Sequence, residues 1–197
     1  NAFSGCSAEI VWAQGSKMTV LGKFAFAGYK GTSLVVPNGV TCIDDKAFLG
    51  CIDLVSVQIP DSVTQIGISA FEGCQKLTSV VIPDGMVIEE GVFSECTSLE
   101  TVVIGSNVTI GKYAFRDCTN LTSIYFHGDA LSIGSRTFER VTATAYYPAG
   151  NTTWTADVMQ NYGIGKITWV SVIASGSCGT NVKWTLDSTG TLTITGS

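Results

Sequence analysis

The stretch Leu54-Val-Ser-Val-Gln-Ile-Pro-Asp-Ser-Val-Thr-Gln-Ile-Gly-Ile-Ser-Ala-Phe-Glu-Gly-Cys74 decides how the chain folds. It opens on an alternating, β-branched run, the period-2 signature of a half-buried strand. Pro60 ends that run, because proline has no N–H to give to a ladder. Ile66, Ala70, Phe71 and Cys74 then stand at offsets that recur along the chain. Phenylalanine returns at Phe48, Phe71, Phe93, Phe115 and Phe138, with gaps of 23, 22, 22 and 23. A cysteine follows three residues later at Cys51, Cys74, Cys96 and Cys118, with Val141 in the last copy. Isoleucine stands five residues before each ring, at Ile43, Ile66, Ile88, Ile110 and Ile133, and Leu54, Leu77, Leu99 and Leu121 follow the cysteines. A period of this length is the mark of a repeat architecture.

Working outward, six strands are expected, ending at Pro37, Pro60, Pro83, Gly105, His127 and Pro148. A 22-residue unit with one strand, two turns and a second short extended piece closes into one coil. No coil buries its apolar face alone, so coils stack on one continuous core. Equivalent side chains then line up about 4.8 Å apart. The inward ladders are expected to be Val57/Val80/Val102/Ile124, Ile59/Ile82/Ile104/Phe126, the isoleucines, the phenylalanines and the four cysteines. An amphipathic helix is excluded: the apolar residues are too β-branched, and no helical spacing persists for three turns.

Composition narrows the function classes. The chain has 197 residues, 14% charged and 45% hydrophobic, with a formal net charge of −5. Mean hydropathy is +0.32, which excludes disorder. Without a basic cluster the phosphate term of nucleic-acid binding is absent. No apolar run reaches the length of a membrane span, so no membrane insertion is expected. The single histidine, His127, excludes two-imidazole chemistry. The chain begins at Asn1 and ends in a strand-like stretch, which reads as a fragment of something longer.

The unit Leu-x-x-Val-x-Ile-Pro-x-x-Val-x-x-Ile-Gly-x-x-Ala-Phe-x-x-Cys resembles the BspA-like leucine-rich repeat family of bacterial surface proteins and some mucosal protists. The resemblance covers residues 31–150, with Gly105 and His127 replacing the proline and Val92 and Thr137 the alanine. It implies a β-rich solenoid, a right-handed leucine-rich-repeat coil with a parallel β-sheet on one face, about six rungs and β-hairpin caps. Residues 151–173, with Trp154, Tyr162 and Trp169, resemble the closing segment of such arrays and supply an aromatic cap. Residues 174–197 read as a β-hairpin turning at Asp187-Ser-Thr-Gly190, the start of a further module. Residues 1–30 read as an N-terminal β cap. Cys6 and Trp12 repeat the spacing of Cys178 and Trp184 in a worn hairpin, while Ala2-Phe3-Ser-Gly-Cys6 also reads as the tail of an earlier repeat.

The chemistry candidates read mostly as structure. Cys51, Cys74, Cys96 and Cys118 form a buried column of small apolar thiols. Metal spacing such as Cys-x-x-Cys is missing, so neither a metal nor a cofactor is expected. Cys42 falls in the mostly polar column of Gln65, Thr109 and Ser132 and is expected as an exposed lone thiol. Asp44-Asp45 and Glu89-Glu90 occupy equivalent turns and are expected to be hydrated, since a convex turn offers no cleft for paired carboxylates. His127 reads as a turn histidine in solvent. Sequons at Asn107, Asn120 and Asn151 would mark exposed turns in a glycosylating organism. No catalytic residue is expected.

One feature points to binding. Alternation puts Val35, Gln58, Val81, Val103, Tyr125 and Tyr146 on the outer face in consecutive rungs, beside Ser56, Ser79, Thr101, Ser123 and Thr144. Exposed apolar stripes mark interaction sites, and tyrosine is favoured there. The resemblance adds the partner class: family members are adhesins that bind matrix and plasma glycoproteins. The expectation is therefore a secreted or cell-surface, non-enzymatic repeat protein with a protein or glycoprotein ligand. The alternative is a spacer that holds another domain away from the wall.

Overall fold

The computed structural model describes residues 3, 5–7, 10–12, 17–178, 182–187 and 191–195. Among them every regular element is a strand. Six short strands form one sheet: β1 (Val20–Leu21), β3 (Cys42–Ile43), β5 (Gln65–Ile66), β7 (Val87–Ile88), β9 (Thr109–Ile110) and β11 (Ser132–Ile133). The larger sheet runs β2 (Ser33–Val35), β4 (Ser56–Gln58), β6 (Ser79–Ile82), β8 (Thr101–Ile104), β10 (Ser123–Phe126), β12 (Thr142–Pro148) and β13 (Lys166–Cys178), all parallel. The six expected strands are β2, β4, β6, β8, β10 and β12. β13 adds a seventh parallel rung within the stretch expected as the aromatic cap. β13 also continues past Val172 into antiparallel pairing with β14 (Val182–Asp187), which pairs with β15 (Leu192–Thr195). The expected turn residues Ser188–Gly190 lie outside the described residues, as does most of the Asn1–Ser4 stretch.

Equivalent residues stack. Phe26, Phe48, Phe71, Phe93, Phe115 and Phe138 form one column, with centroids 5.1, 5.1, 5.4, 5.5 and 5.8 Å apart and planes within 14° of parallel. Offset stacking at this distance adds to burial. Phe3 extends the column, lying 4.8 Å above Phe26. The sequence signal for the Phe26 coil was available: Leu21 stands five residues before it, in register with Ile43. Tyr29 in the cysteine position hid it. At the other end the column closes differently. Tyr162 meets Phe138 edge-on at 6.4 Å and 78°, and Trp154 and Trp169 pack on Phe126 at 4.9 and 5.6 Å. The indole N–H groups donate to Gly128 O and Gln160 O, at 3.1 Å each, so these large rings cover the core without burying a bare donor.

The corners are built on left-handed backbone. Two residues before each ring, Lys46, Ser69, Tyr113 and Arg136 have φ of 54–59°, and Gly91 has 66°. Two residues after it, Gly50, Gly73, Glu95 and Asp117 have φ of 59–71°. Side chains are uncommon there. Hydrogen bonds to the next coil hold them: Lys46 N–H donates to Ile68 O (2.9 Å), Ser69 to Glu90 O (2.9 Å) and Glu95 to Arg116 O (2.8 Å). The ring residues donate likewise, Phe48 N–H to Ala70 O and Phe93 N–H to Ala114 O, at 2.8 Å each. A coil is thus bonded to its neighbour at both sheets and at the corner.

Glycine after the isoleucine has a packing cause. A Cβ on Gly111 would lie 2.6 Å from Glu89 O and 2.8 Å from Glu90 N. Gly111→Ala is therefore expected to cost about 2–3 kcal/mol, as overpacking against backbone does. A urea titration checks it, and an unshifted midpoint would mean the coils are not this close.

Candidate binding face

The strands position two outward columns. In the first, Val35 is in register with Gln58, Val81 with Val103, Val103 with Tyr125, and Tyr125 with Tyr146. Tyr146 is in register with Val170, a seventh member beyond the six expected. Thr168 likewise extends the hydroxyl column beyond Thr144. Between β4 and β6 the ladder narrows to the single pair Ser56↔Ser79, so Gln58 and Val81 stand on consecutive rungs without forming a bridge pair. Val57 and Ile59 point inward as expected, half-buried and packed against the core's margin. From Val81 to Val170 the stripe is continuous.

Exposure grades along it. Val35 and Val81 are 54% and 57% exposed, while Val103, Tyr125, Tyr146 and Val170 are half-buried. Tyr125 and Tyr146 stack face to face at 4.8 Å and 12°. Burial, and then the neighbouring Tyr125, raise the Tyr146 hydroxyl above its ordinary pKa. The Tyr146 phenol is therefore neutral at physiological pH. Beside Val81 and Val103 the strand ends leave a notch of about 370 Å³, lined by Asp61, Pro83, Asp84, Gly105 and His127.

The thiol column is fully buried. Cys51, Cys74, Cys96 and Cys118 are each 0% exposed and carry free thiols. Each donates to the phenylalanine carbonyl of the preceding coil: to Phe26, Phe48, Phe71 and Phe93, at 3.3, 3.5, 3.3 and 3.1 Å. Burial raises Cys96, and raises Cys118 to about 12. The Cys74 thiol, then burial, raise Cys51. Cys74 is lowered by Cys51 but raised by Cys96 and by burial, with the net well above its ordinary value. Neutral, inaccessible thiols are poor nucleophiles and poor metal ligands. Among the described residues no group of three or more His, Cys, Asp or Glu gathers around a common point.

Other candidates sit apart. Cys42 is half-buried rather than exposed. Burial and the Asp44 and Asp45 charges raise its pKa. Asp45 is not simply hydrated: it accepts from Lys23 Nζ and from Ile68 N–H, both at 3.0 Å, and the lysine bond lowers its pKa. Glu89 accepts from Gln65 Nε2 at 3.1 Å. His127 is exposed, and its backbone carbonyl accepts from Ser106 Oγ at 2.9 Å. Asn107 and Asn120 are exposed, whereas the Asn151 amide is engaged with Gly128 O and Asp129 Oδ1.

Residues 19–144 match the BspA type leucine rich repeat region model in six copies. The chain belongs to the BspA-type leucine-rich repeat family. The match starts at the β1 coil, earlier than residue 31, in keeping with the Phe26 geometry. The leucine rich repeat protein of T. pallidum is a similar solved structure, 28% identical with a TM-score of 0.52, covering 74% of this chain and 75% of that one. A leucine rich cell surface protein of Faecalibacterium prausnitzii is 25% identical, with a TM-score of 0.46, over 86% of this chain and 46% of that one. A leucine-rich repeat protein of Bacteroides ovatus is 20% identical, with a TM-score of 0.39, over 78% and 58%. The chain therefore spans about half the length of these last two. No curated protein matches. BspA-type repeats are leucine-rich repeats, which in general are protein-interaction modules. No helix among the described residues is long and apolar enough to cross a membrane.

Proposed function

We propose that this BspA-type array is a non-catalytic adhesion scaffold at a cell surface, and that its outer sheet face binds a protein or glycoprotein. The observation that carries the reading is the stripe Val81, Val103, Tyr125, Tyr146 and Val170, an apolar and aromatic line held in register on a hydrogen-bonded sheet. A half-buried tyrosine pair gives large contact area with little rotamer entropy left to lose. Val35 and Gln58 continue the same face on β2 and β4. The flanking hydroxyls supply polar contacts around an apolar centre, the usual anatomy of an interface. The division into an N-terminal cap, an array, an aromatic cap and a C-terminal hairpin goes with this reading: the array presents the face and the ends join it to neighbouring modules.

The test is substitution on the stripe. Val103→Ser with Tyr125→Ser is expected to weaken binding to immobilised matrix and plasma glycoproteins at least tenfold. Val87→Ser, exposed on the smaller sheet, is expected to leave it unchanged. Circular dichroism confirms that each variant is folded. If the double variant binds every surface as the parent does, the array is a spacer.

A further inference from the structure

The notch beside Val81 and Val103 comes from one departure in the repeat. The strand ends carry Pro37, Pro60, Pro83, Gly105, His127 and Pro148. At Gly105 the ring is missing, and a depression opens between Pro83 and His127. Glycine is required there: a Cβ would lie 2.7 Å from Asp84 N and 2.8 Å from the Pro83 carbonyl carbon. The Asp84 carboxylate is fixed at the rim, its Oδ1 accepting from Ser106 N–H at 2.7 Å. Asp61, one coil away, lines the same notch. The walls are apolar, from Val81, Val103 and Pro83.

The acids at this rim differ from those at the corners. Asp45, Asp53, Glu95 and Asp117 each have a lysine or arginine within 3.0 Å, from their own or a neighbouring coil. Among the described residues Asp61 and Asp84 form no such ion pair, and no lysine or arginine lines the notch. The site therefore combines an apolar channel with a fixed negative end. A long cationic side chain complements both: its methylenes lie on valine and proline while its charge reaches the carboxylates. Guanidinium suits a carboxylate at the rim best, through its fork of donors.

We propose that this notch is the specificity pocket of the binding face, and that it receives an arginine side chain from an extended segment of the protein partner. The proposal rests on the reading that the outer face binds protein. It gives that face a charge preference that the apolar stripe by itself lacks.

The test uses short probes in place of the partner. The ¹⁵N-labelled chain is titrated at pH 7.5 with the peptide acetyl-Val-Arg-Val-amide, with its citrulline analogue, and with calcium chloride. The arginine peptide is expected to give saturable amide shifts at Val81, Val103, Gly105 and His127. The citrulline analogue is expected to bind at least fivefold more weakly, and so is the arginine peptide to the Asp61→Asn/Asp84→Asn variant. Asparagine keeps an acceptor for Ser106, so that variant retains the turn. Equal shifts from arginine and citrulline, or shifts elsewhere only, would overturn the pocket. Tighter shifts at the same amides from calcium alone would make it a cation site and overturn it too. Glycoprotein binding lost on Val103→Ser/Tyr125→Ser, with no arginine response, would sink the pocket and leave the face standing. An unchanged stripe variant would sink the face itself.

Discussion

Phe93→Ala is expected to destabilise the chain by about 4–5 kcal/mol, the upper range for deleting a buried ring. Phe93 is 0% exposed and stacks on Phe71 at 5.4 Å and on Phe115 at 5.5 Å. Its removal opens a cavity and breaks the aromatic column on both sides. The backbone cannot close over the gap, because the Phe93 and Glu95 N–H groups are bonded to the next coil. In a stack where each coil touches only its neighbours, a mid-array defect also separates the two halves energetically. A loss of this size is a large part of ordinary domain stability. Urea denaturation is expected to show a lower midpoint and a shallower slope. A change under 1 kcal/mol would mean that the ring column is not what joins the coils.

The second large effect is alkaline unfolding. Cys51, Cys74, Cys96 and Cys118 all have thiol pKa values raised from 9.0 in the folded chain, Cys118 to about 12. Unfolded thiols ionise from pH 9 upward, while the buried ones stay neutral. The folded state then holds more protons than the unfolded one, so stability present below pH 9 is lost as pH rises. Each thiol that stays neutral through that window while its unfolded counterpart ionises contributes up to about 1.4 kcal/mol per pH unit. The loss from Cys118 levels off above pH 12. Unfolding free energies at pH 8, 9.5 and 10.5 are expected to fall steeply above 9. Cys96→Val, which removes one thiol from the linkage, is expected to reduce the slope. A flat profile between pH 8 and 10.5 would contradict the burial of the column.

What was legible in the sequence follows from what repeats. Phe71, Cys74, Ile66 and Leu77 sit in the same environment in every coil, so the same residue type suits each and the columns can be read by eye. Val102 and Ile104 could be placed inward for the same reason. The Phe26 coil was hidden because Tyr29 fills the thiol position with a different shape. The left-handed corners were visible only where glycine occupies them, as at Gly50 and Gly91. At Lys46 and Glu95 the inter-coil hydrogen bonds set the backbone, and no local preference announces it. The narrowing of the ladder between β4 and β6 is a pairing fact that alternation alone cannot predict. The notch at Gly105 is the converse case: it is legible as a departure from proline, but its acidic rim comes from turns in two other coils.

The central claim is that residues one period apart occupy equivalent places in a stack. Deleting residues 84–105, one full 22-residue coil, tests it most directly, with equilibrium unfolding as the readout. Pro83 then joins Ser106, and β6 is expected to pair with β10. The shortened chain is expected to unfold cooperatively, within a few kcal/mol of the parent, whereas deleting 84–94, half a period, leaves it unfolded. A half-period deletion that folds as well as the full-period one, or a full-period deletion that does not fold, would contradict the stack.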